Sequence, residues 1–595
     1  MFQPSAVRLM HEISTPVAAA TGCSPGVHAA LPPGSTPPSP EVSPWGWLRT
    51  CLDASPAQWI WFFVLLGVAL RVTRFLLPFP LWCDEYQLSE NFLDRDFQGL
   101  LSPLRNNQVA PVGFLWAEKA SSLLFGFREW SLRLFPLICG IAGLFVMRRL
   151  ASRLLTGPAQ VIAVATLAVA YYPIRLAAEV KPYAGDLLCS LTILACLVEW
   201  QHDGRRSRWL WILALLIGPM LWFSFPSVFA GGAASLAMAV VLWHDWRSGQ
   251  APSRSTLAAA VGFHLLLLVG FGSVLWLNAS QQYKATANDM TACWAEHFPP
   301  LTQPARLVPW LLDAHTGVIF AYPLGAENGG STLTTLACLL GAVHCWRTGR
   351  RWWLAWGAGA FALTFAAAAL HRYPYGGHAR LAQHLVPAIL LTFAVGVGAL
   401  IEALRSVEAR RGALGLAIIG CLGLAMGTTL RDFARPFKSR TDSIHQGFAR
   451  WFWNSNPDVV TLCVADDLGE QFYDDIHWSP YRCYREIYRQ RPLTPESARA
   501  LVEEGQKPLR CVVFHSWSSP CDQQALRRWL EGLSQRYTLV GNLQHQVRLA
   551  DGAFDSDSYR RLCYDVYEFV PRGPASAEPG PSAPLATELP ATIRR

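Results

Sequence analysis

Charge is scarce in this 595-residue chain: only 15% of its residues are Asp, Glu, Lys or Arg, and 52% are hydrophobic. An average soluble protein carries about 25% charged residues, so an ordinary soluble globule is excluded. Long Lys/Arg tracts with interleaved aromatics are also missing. The net charge of +8 therefore marks no nucleic-acid face, and nucleic acid is not an expected partner. The 15 cysteines form no C-x-x-C pair and have no histidine at zinc spacing, so no metal site can be argued. No charged segment followed by an apolar one opens the chain, which is not the pattern of a cleaved signal peptide.

What the chain has instead is long apolar runs. They fall at about 58–80, 131–150, 158–177, 184–200, 208–225, 227–243, 256–277, 331–346, 352–370, 381–402 and 412–430. Runs of this length cross a hydrocarbon core of about 30 Å as helices. The expected fold is an α-helical polytopic membrane protein with about eleven transmembrane helices. Residues 1–50, rich in Pro, Ser, Ala and Gly, read as a disordered cytoplasmic tail, and 51–432 as the transmembrane catalytic domain.

Arginines cluster in alternate loops: Arg148, Arg149 and Arg153; Arg205, Arg206 and Arg208; Arg247 and Arg254; Arg347, Arg350 and Arg351; Arg405, Arg410 and Arg411. The positive-inside rule makes these loops cytoplasmic. The first loop (81–130), the loop 278–330 and everything after the last span then face outward. Within the first loop, 111–127 reads as an amphipathic helix lying along the interface.

Residues 440–571 turn polar and read as a small extracytoplasmic α/β domain. Its strands are expected at 459–464, 510–517 and 564–570, and its helices at 494–505 and 522–537. Cys463, Cys483, Cys511, Cys521 and Cys563 fall here, enough for one or two disulfides in an oxidising compartment. The Pro/Ala-rich 572–595 reads as a disordered tail.

Three stretches could carry chemistry, all on the expected outer surface. "LWCDEYQLSENFLDRDF" (81–97) packs Asp84, Glu85, Glu90, Asp94 and Asp96 just beyond the first span. A carboxylate near a low-dielectric interface gains proton affinity unless a cation compensates, which suits a general base. The plain reading of Glu90, Asp94, Arg95 and Asp96 is a solvated helix. "AAEVKPYAGD" (177–186) sets Glu179, Lys181, Tyr183 and Asp186 around a proline, and a lysine there offers a point charge to a phosphate. "LHRYPYGGHARLAQHLVP" (370–387) gathers His371, Arg372, Tyr373, Tyr375, His378, Arg380 and His384, groups that suit an anionic head group and a sugar ring. Snorkelling and helix capping are the plain alternative for the stretch 177–186. The runs themselves carry almost no charge, which argues against a transporter with ionisable residues at mid-span.

In combination, "LWCDE", "NNQVAPVGFLWAEKASSLLFGFREWSLRLFP" and "YYPIRLAAEVKPYAGDLL" resemble the GT-C glycosyltransferases. The nearest group is glycosyltransferase family 39, with the protein O-mannosyltransferases and the aminoarabinose transferase of lipid A. The likeness covers about 58–430 and is strongest over 81–190. It implies a membrane enzyme using a polyprenyl-phosphate sugar donor on the outer face, in a bacterial plasma membrane, with a lipid, protein or glycan acceptor. By the same likeness the catalytic acidic residue falls on Asp84 with Glu85 beside it. The donor-binding groups fall on Lys181 and, matched by loop only, on Arg372 or Arg380, with Glu179, Tyr183, Tyr373 and His378 around them. The expected reaction inverts configuration, with Asp84 as base and no general acid. No cofactor is required; a divalent metal between carboxylates and phosphate is compatible with the sequence, which does not demand one. A transporter or flippase of lipid-linked or small solutes, and a non-catalytic scaffold, are the rival classes. Cys83 stands where such proteins often carry a small residue.

Overall fold

The structure is a computed structural model. It describes residues 55–573 apart from 324, 326–328, 455–458, 471–474, 490–492, 517–522 and 549–560. Both expected tails lie outside this range, save the first residues of the second.

Helices occupy every one of the apolar runs. Among the described residues eight helices, not eleven, are long and apolar enough to cross a membrane: Pro56–Leu76, Leu134–Leu154, Tyr183–His202, Ser227–Arg247, Arg254–Thr286, Arg351–Ala369, Ala379–Glu402 and Val407–Ala434. Pro158–Val169 and Arg208–Phe223 are apolar but shorter, and Gly329–Arg347 falls outside the eight. The chain is a multi-pass helical membrane protein with a small C-terminal α/β domain. Gly341 and Gly396 show how closely its helices approach, since a Cβ on either would run into the other helix's backbone.

Around the site the order is α1 (Pro56–Leu76), α2 (Cys83–Ser89), α3 (Val112–Phe125), α4 (Leu134–Leu154), α5 (Pro158–Val169) and α6 (Tyr183–His202). After the remaining apolar helices come α7 (Val407–Ala434), α8 (Arg440–Asn454) and α9 (Asp475–Tyr488). α1 starts on a capping box: the Ser55 hydroxyl accepts from the Gln58 N–H, and the Gln58 side chain accepts from the Ser55 N–H at 2.7 Å.

Charge does lie inside the spans, and Arg71 is the most buried case in α1. Arg71 of α1 is 1% exposed and donates to the carbonyls of Gly67, Leu167 and Ala168 at 3.0–3.2 Å. The last two belong to the C-terminus of α5, whose carbonyls have no partner within their own helix. Arg71 supplies that partner.

The C-terminal sheet runs β1 (Val460–Cys463), β2 (Leu509–Ser516), β4 (Arg561–Pro571), β3 (Tyr537–Arg548) across its width. β1 and β2 are parallel, and the other pairs are antiparallel. Alternating side chains send Leu462, Cys511, Val513, Tyr567 and Phe569 to one face, against the helices Pro495–Glu504 and Gln523–Ser534. Cys463, Val512 and Val566 go to the other face, against Phe448 and Phe452 of α8 and Tyr481 of α9. The helix Pro495–Glu504 has Thr494 as N-cap and ends at Gly505 in the left-handed region, φ 61°. Cys463, Cys483 and Cys511 are buried free thiols; Cys521 and the Cys563 side chain lie outside the described residues.

The domain shares a core with the first loop. Ala449 of α8 and Cys483 and Tyr484 of α9 pack into one cluster with Leu81, Leu88, Phe92, Phe114 and Val180.

Candidate active site

After α1 the chain runs extended through Phe79 and Pro80 and turns into α2 at Trp82, whose N–H donates to Glu85 Oε2 at 3.1 Å. This turn presents two adjacent carboxylates to different surroundings. Glu85 is 1% exposed. It accepts from Arg133 Nε (3.0 Å) and Nη2 (2.8 Å) and from the Val180 N–H (2.8 Å). Arg133 also donates to the carbonyls of Phe79 and Pro80. Glu85 and Arg133 thereby tie the entry to α2, the start of α4 and the loop before α6 into one joint.

Asp84 points the other way. Its Oδ2 accepts from Arg380 Nη1 at 2.6 Å, and its side chain stays 26% exposed. Burial pushes its carboxyl up, but the charges of Lys181, Arg380 and Lys438 outweigh that and hold it below the usual carboxylate range. Lys181 is 5% exposed and donates to Gln108 Oε1 at 2.6 Å. Burial lowers its ammonium, while Asp84 partly restores it. The Arg380 guanidinium also stands 5.4 Å from the Trp82 ring and 5.8 Å from the Trp294 ring. Lys438, in the linker between α7 and α8, lies over the same Trp82 ring. Water reaches the Lys438 side chain. Even so, the surrounding protein desolvates its ammonium, with Glu179 opposing and Arg175 and Arg380 adding, and brings it down to about 7. Among the described residues Lys438 forms no ion pair within 4.0 Å.

Of the other residues expected in the site, Glu179 is buried and accepts from Arg175 Nε at 2.5 Å. Burial raises its carboxyl, but Arg175 and Lys438 bring it well below the usual range. Tyr183 opens α6 within electrostatic reach of Arg380 and Asp84. His378 accepts the Arg380 N–H on Nδ1 at 3.1 Å and so orients that residue. Burial, then Arg380, lowers the imidazole to about 3, which keeps it neutral. Tyr373 instead donates to the Leu381 carbonyl and packs on Phe229 and His384. Arg372 is exposed, with its guanidinium 4.7 Å from the Tyr283 ring; no contact joins it to Asp84. Glu90, expected to be solvated, is 3% exposed and paired with Arg482.

Arg133, Gln108 and Lys438 are members that sequence reasoning did not single out. The first two lie inside the motif strings themselves. Lys438 sits in "ARPFKSR", on the same side as Asp84 by the alternation of loops. Among the described residues no three His, Cys, Asp or Glu side chains gather as a metal site.

Chemically, this is a solvent-reached carboxylate held ionised among three cations, beside an aromatic face. The cations can take an anionic group, the carboxylate can take a proton, and the Trp82 ring can receive an apolar surface.

Among curated proteins nothing matches this chain. Several solved structures are similar to it. ArnT from Cupriavidus metallidurans in the apo state shares 14% identity at a TM-score of 0.49, covering 86% of this chain and 98% of that one. The same protein bound to undecaprenyl phosphate shares 13% at 0.46, covering 88% and 98%. The Archaeoglobus fulgidus oligosaccharyltransferase in complex with Zn and sulfate shares 12% at 0.42, covering 81% and 67%. Residues 109–272, a stretch that includes Arg133, Glu179, Lys181 and Tyr183, match the family model described as Dolichyl-phosphate-mannose-protein mannosyltransferase.

Proposed function

We propose that this chain is a membrane glycosyltransferase that moves a sugar from a polyprenyl-phosphate donor to an acceptor hydroxyl with inversion at the anomeric carbon. One observation carries the reading: the Asp84 carboxylate accepts from Arg380 and has Lys181 and Lys438 within electrostatic reach, at one end of a membrane-spanning bundle. The match over 109–272 supports it, since the family's description names a polyprenyl-type phosphate sugar.

The donor's phosphate binds the three cations, its isoprenoid chain lies between helices in the membrane, and the acceptor hydroxyl enters from water. Asp84 takes the hydroxyl proton as the oxygen bonds to the anomeric carbon. The bond from that carbon to the phosphate oxygen breaks, and polyprenyl phosphate leaves as an anion on the same cations. The cations make free Asp84 a weak base. A bound phosphate neutralises them and raises the carboxylate's proton affinity, so the base strengthens when the donor is in place. Glu85, with its lone pairs committed to Arg133 and backbone N–H groups, holds the joint. Glu179 and His378 hold Arg175 and Arg380. We place this end, and with it the C-terminal domain, outside the cell, on the alternation of basic loops.

Membranes containing wild type or Asp84→Asn, given a panel of radiolabelled polyprenyl-phosphate sugars, test the reading. Label is followed into lipid, protein and glycan fractions. Transfer by wild type that vanishes in the variant at equal protein level supports it, and equal transfer by both removes Asp84 as base. No transfer from any donor overturns the glycosyltransferase reading. Running the assay with and without a chelator decides whether a divalent ion takes part.

A further inference from the structure

The segment 81–94, which carries Asp84, is gripped at both ends by α9 of the C-terminal domain. At its start the Leu81 N–H donates to the Tyr484 hydroxyl at 2.8 Å, and both residues are fully buried. In the middle the Cys483 thiol meets the Tyr86 carbonyl at 3.5 Å. At its end Arg482 donates to Glu90 Oε1 at 2.6 Å and to both oxygens of Asp94 at 2.9 Å.

Arg482 is anchored in turn from its own domain. Its Nε lies 3.4 Å from Asp466, just after β1. Asp466 also pairs with Arg485 at 3.0 Å, and Asp467 accepts from Arg489 at 2.8 Å and from the Cys463 N–H at 2.9 Å. On the far side Arg105 closes the network onto Asp94 at 2.7 Å. A guanidinium that meets three carboxylates in fixed directions is a directional tie that a lysine, with one point charge, cannot reproduce. α2 has only seven residues, too few to hold its shape alone. Its orientation comes from what grips it.

We infer that Arg482 and Tyr484 are positioning residues for Asp84, and that the C-terminal domain works as a clamp on the segment that bears the base. This rests on the role proposed for Asp84 above. The clamp accounts for the shared core of domain and first loop, and for the burial of Glu90.

Hydrogen exchange on the full-length protein in detergent or nanodiscs tests the clamp without any turnover. Arg482→Ala is expected to raise amide exchange over 83–94 by about tenfold or more, as loss of a partly buried, charged hydrogen-bond network opens a local unit. Exchange over α6 stays as in wild type, and Arg482→Lys recovers part of the loss. Tyr484→Phe keeps the ring in the core and raises exchange at Leu81 and Trp82. In turnover Arg482→Ala and Tyr484→Phe lower kcat and leave the donor KM within about twofold, because Asp84 acts in the chemical step. Unchanged exchange over 83–94 overturns the inference. So does exchange that rises throughout 440–571, which makes Arg482 a residue of the domain's own fold. Wild type that transfers no sugar sinks the glycosyltransferase reading, while the exchange result still decides whether the clamp exists.

Discussion

The two ends of the helical bundle are both rich in arginine and carboxylate, yet they are built on different principles. α4 begins just after Arg133 and carries Arg149 and Arg153 in its last two turns, and its 21 residues span about 30 Å. At the Asp84 end three pairs with largely buried arginines join distant segments: Arg133 with Glu85, Arg380 with Asp84, and Arg74 of α1 with Asp432 of α7. Their arginine side chains are 4–16% exposed. At the opposite end Arg149 and Arg153 share Glu199 with side chains 49% and 39% exposed, and Arg206 and Arg208 meet Asp203 at 68% and 57%. The first set fixes geometry and can support chemistry. The second can set topology, but its arginines stand in too much water to fix geometry.

The comparison is broken most sharply at Asp84. Asp84→Asn keeps the shape and removes the proposed base, and proton transfer by a positioned group contributes about 10²–10⁴-fold. Transfer rate should fall by that range, with the protein made and folded as wild type. Glu85→Gln, one residue away, should do the reverse. It leaves the Arg133 guanidinium buried without its charge partner, which costs about 3–5 kcal/mol. A large drop in thermal midpoint in detergent is the expected result. If both neighbours behave alike in both measurements, the division of labour between them is wrong.

A smaller effect comes from Lys438. Its ammonium titrates at about 7, so the charged form dominates below that pH and is lost as pH rises through it. Asp442 behind it, raised chiefly by burial, also reaches about 7 and gains negative charge over the same range. Glu179 and Asp84 stay ionised and His378 stays neutral throughout. A phosphodiester donor keeps its single charge, so both changes weaken its binding in the same direction. The donor KM should rise about three- to tenfold between roughly pH 6 and 8, the scale of one close charge in a wet site. Lys438→Arg, charged at every pH used, should flatten that profile.

Much of this was legible in the sequence, for definite reasons. Long apolar runs have one physical use, so each fell on a helix, and Thr494 with Pro495 and Gly505 marked a helix by capping chemistry alone. The count of spans was less legible, because hydropathy does not say whether a run such as 158–177 is continuous. It breaks at Ala170, in extended conformation, between α5 and the short helix Tyr171–Leu176. β3 went unseen because it is an edge strand with a polar sequence, "YTLVGNLQHQVR", and half of its signal normally comes from a buried face. In the site, Asp84 and Lys181 could be found from their place beside apolar runs. The pairing of Asp84 with Arg380 spans 296 positions, and local pattern carries no information about it. Arg482 was beyond reach for the same reason: nothing in "YRCYRE" says that it meets Glu90.

The smallest effect is expected where the sequence pattern was clearest. Arg149→Ala at the far end removes one of two arginines from Glu199, and Arg153 remains 3.2 Å from the same oxygen. With half its surface in water, Arg149 loses a pair worth about 0–1 kcal/mol, and salt screens what there is. Thermal midpoint and transfer rate should stay within error of wild type. Glu199→Gln should cost more than either arginine, because it takes both pairs from a carboxylate that is itself 5% exposed. That asymmetry separates a topology signal from a structural pair. If Arg149→Ala proved as damaging as Glu85→Gln, burial would not be what distinguishes the two ends of the bundle, and the assignment of chemistry to the Asp84 end would lose its physical basis.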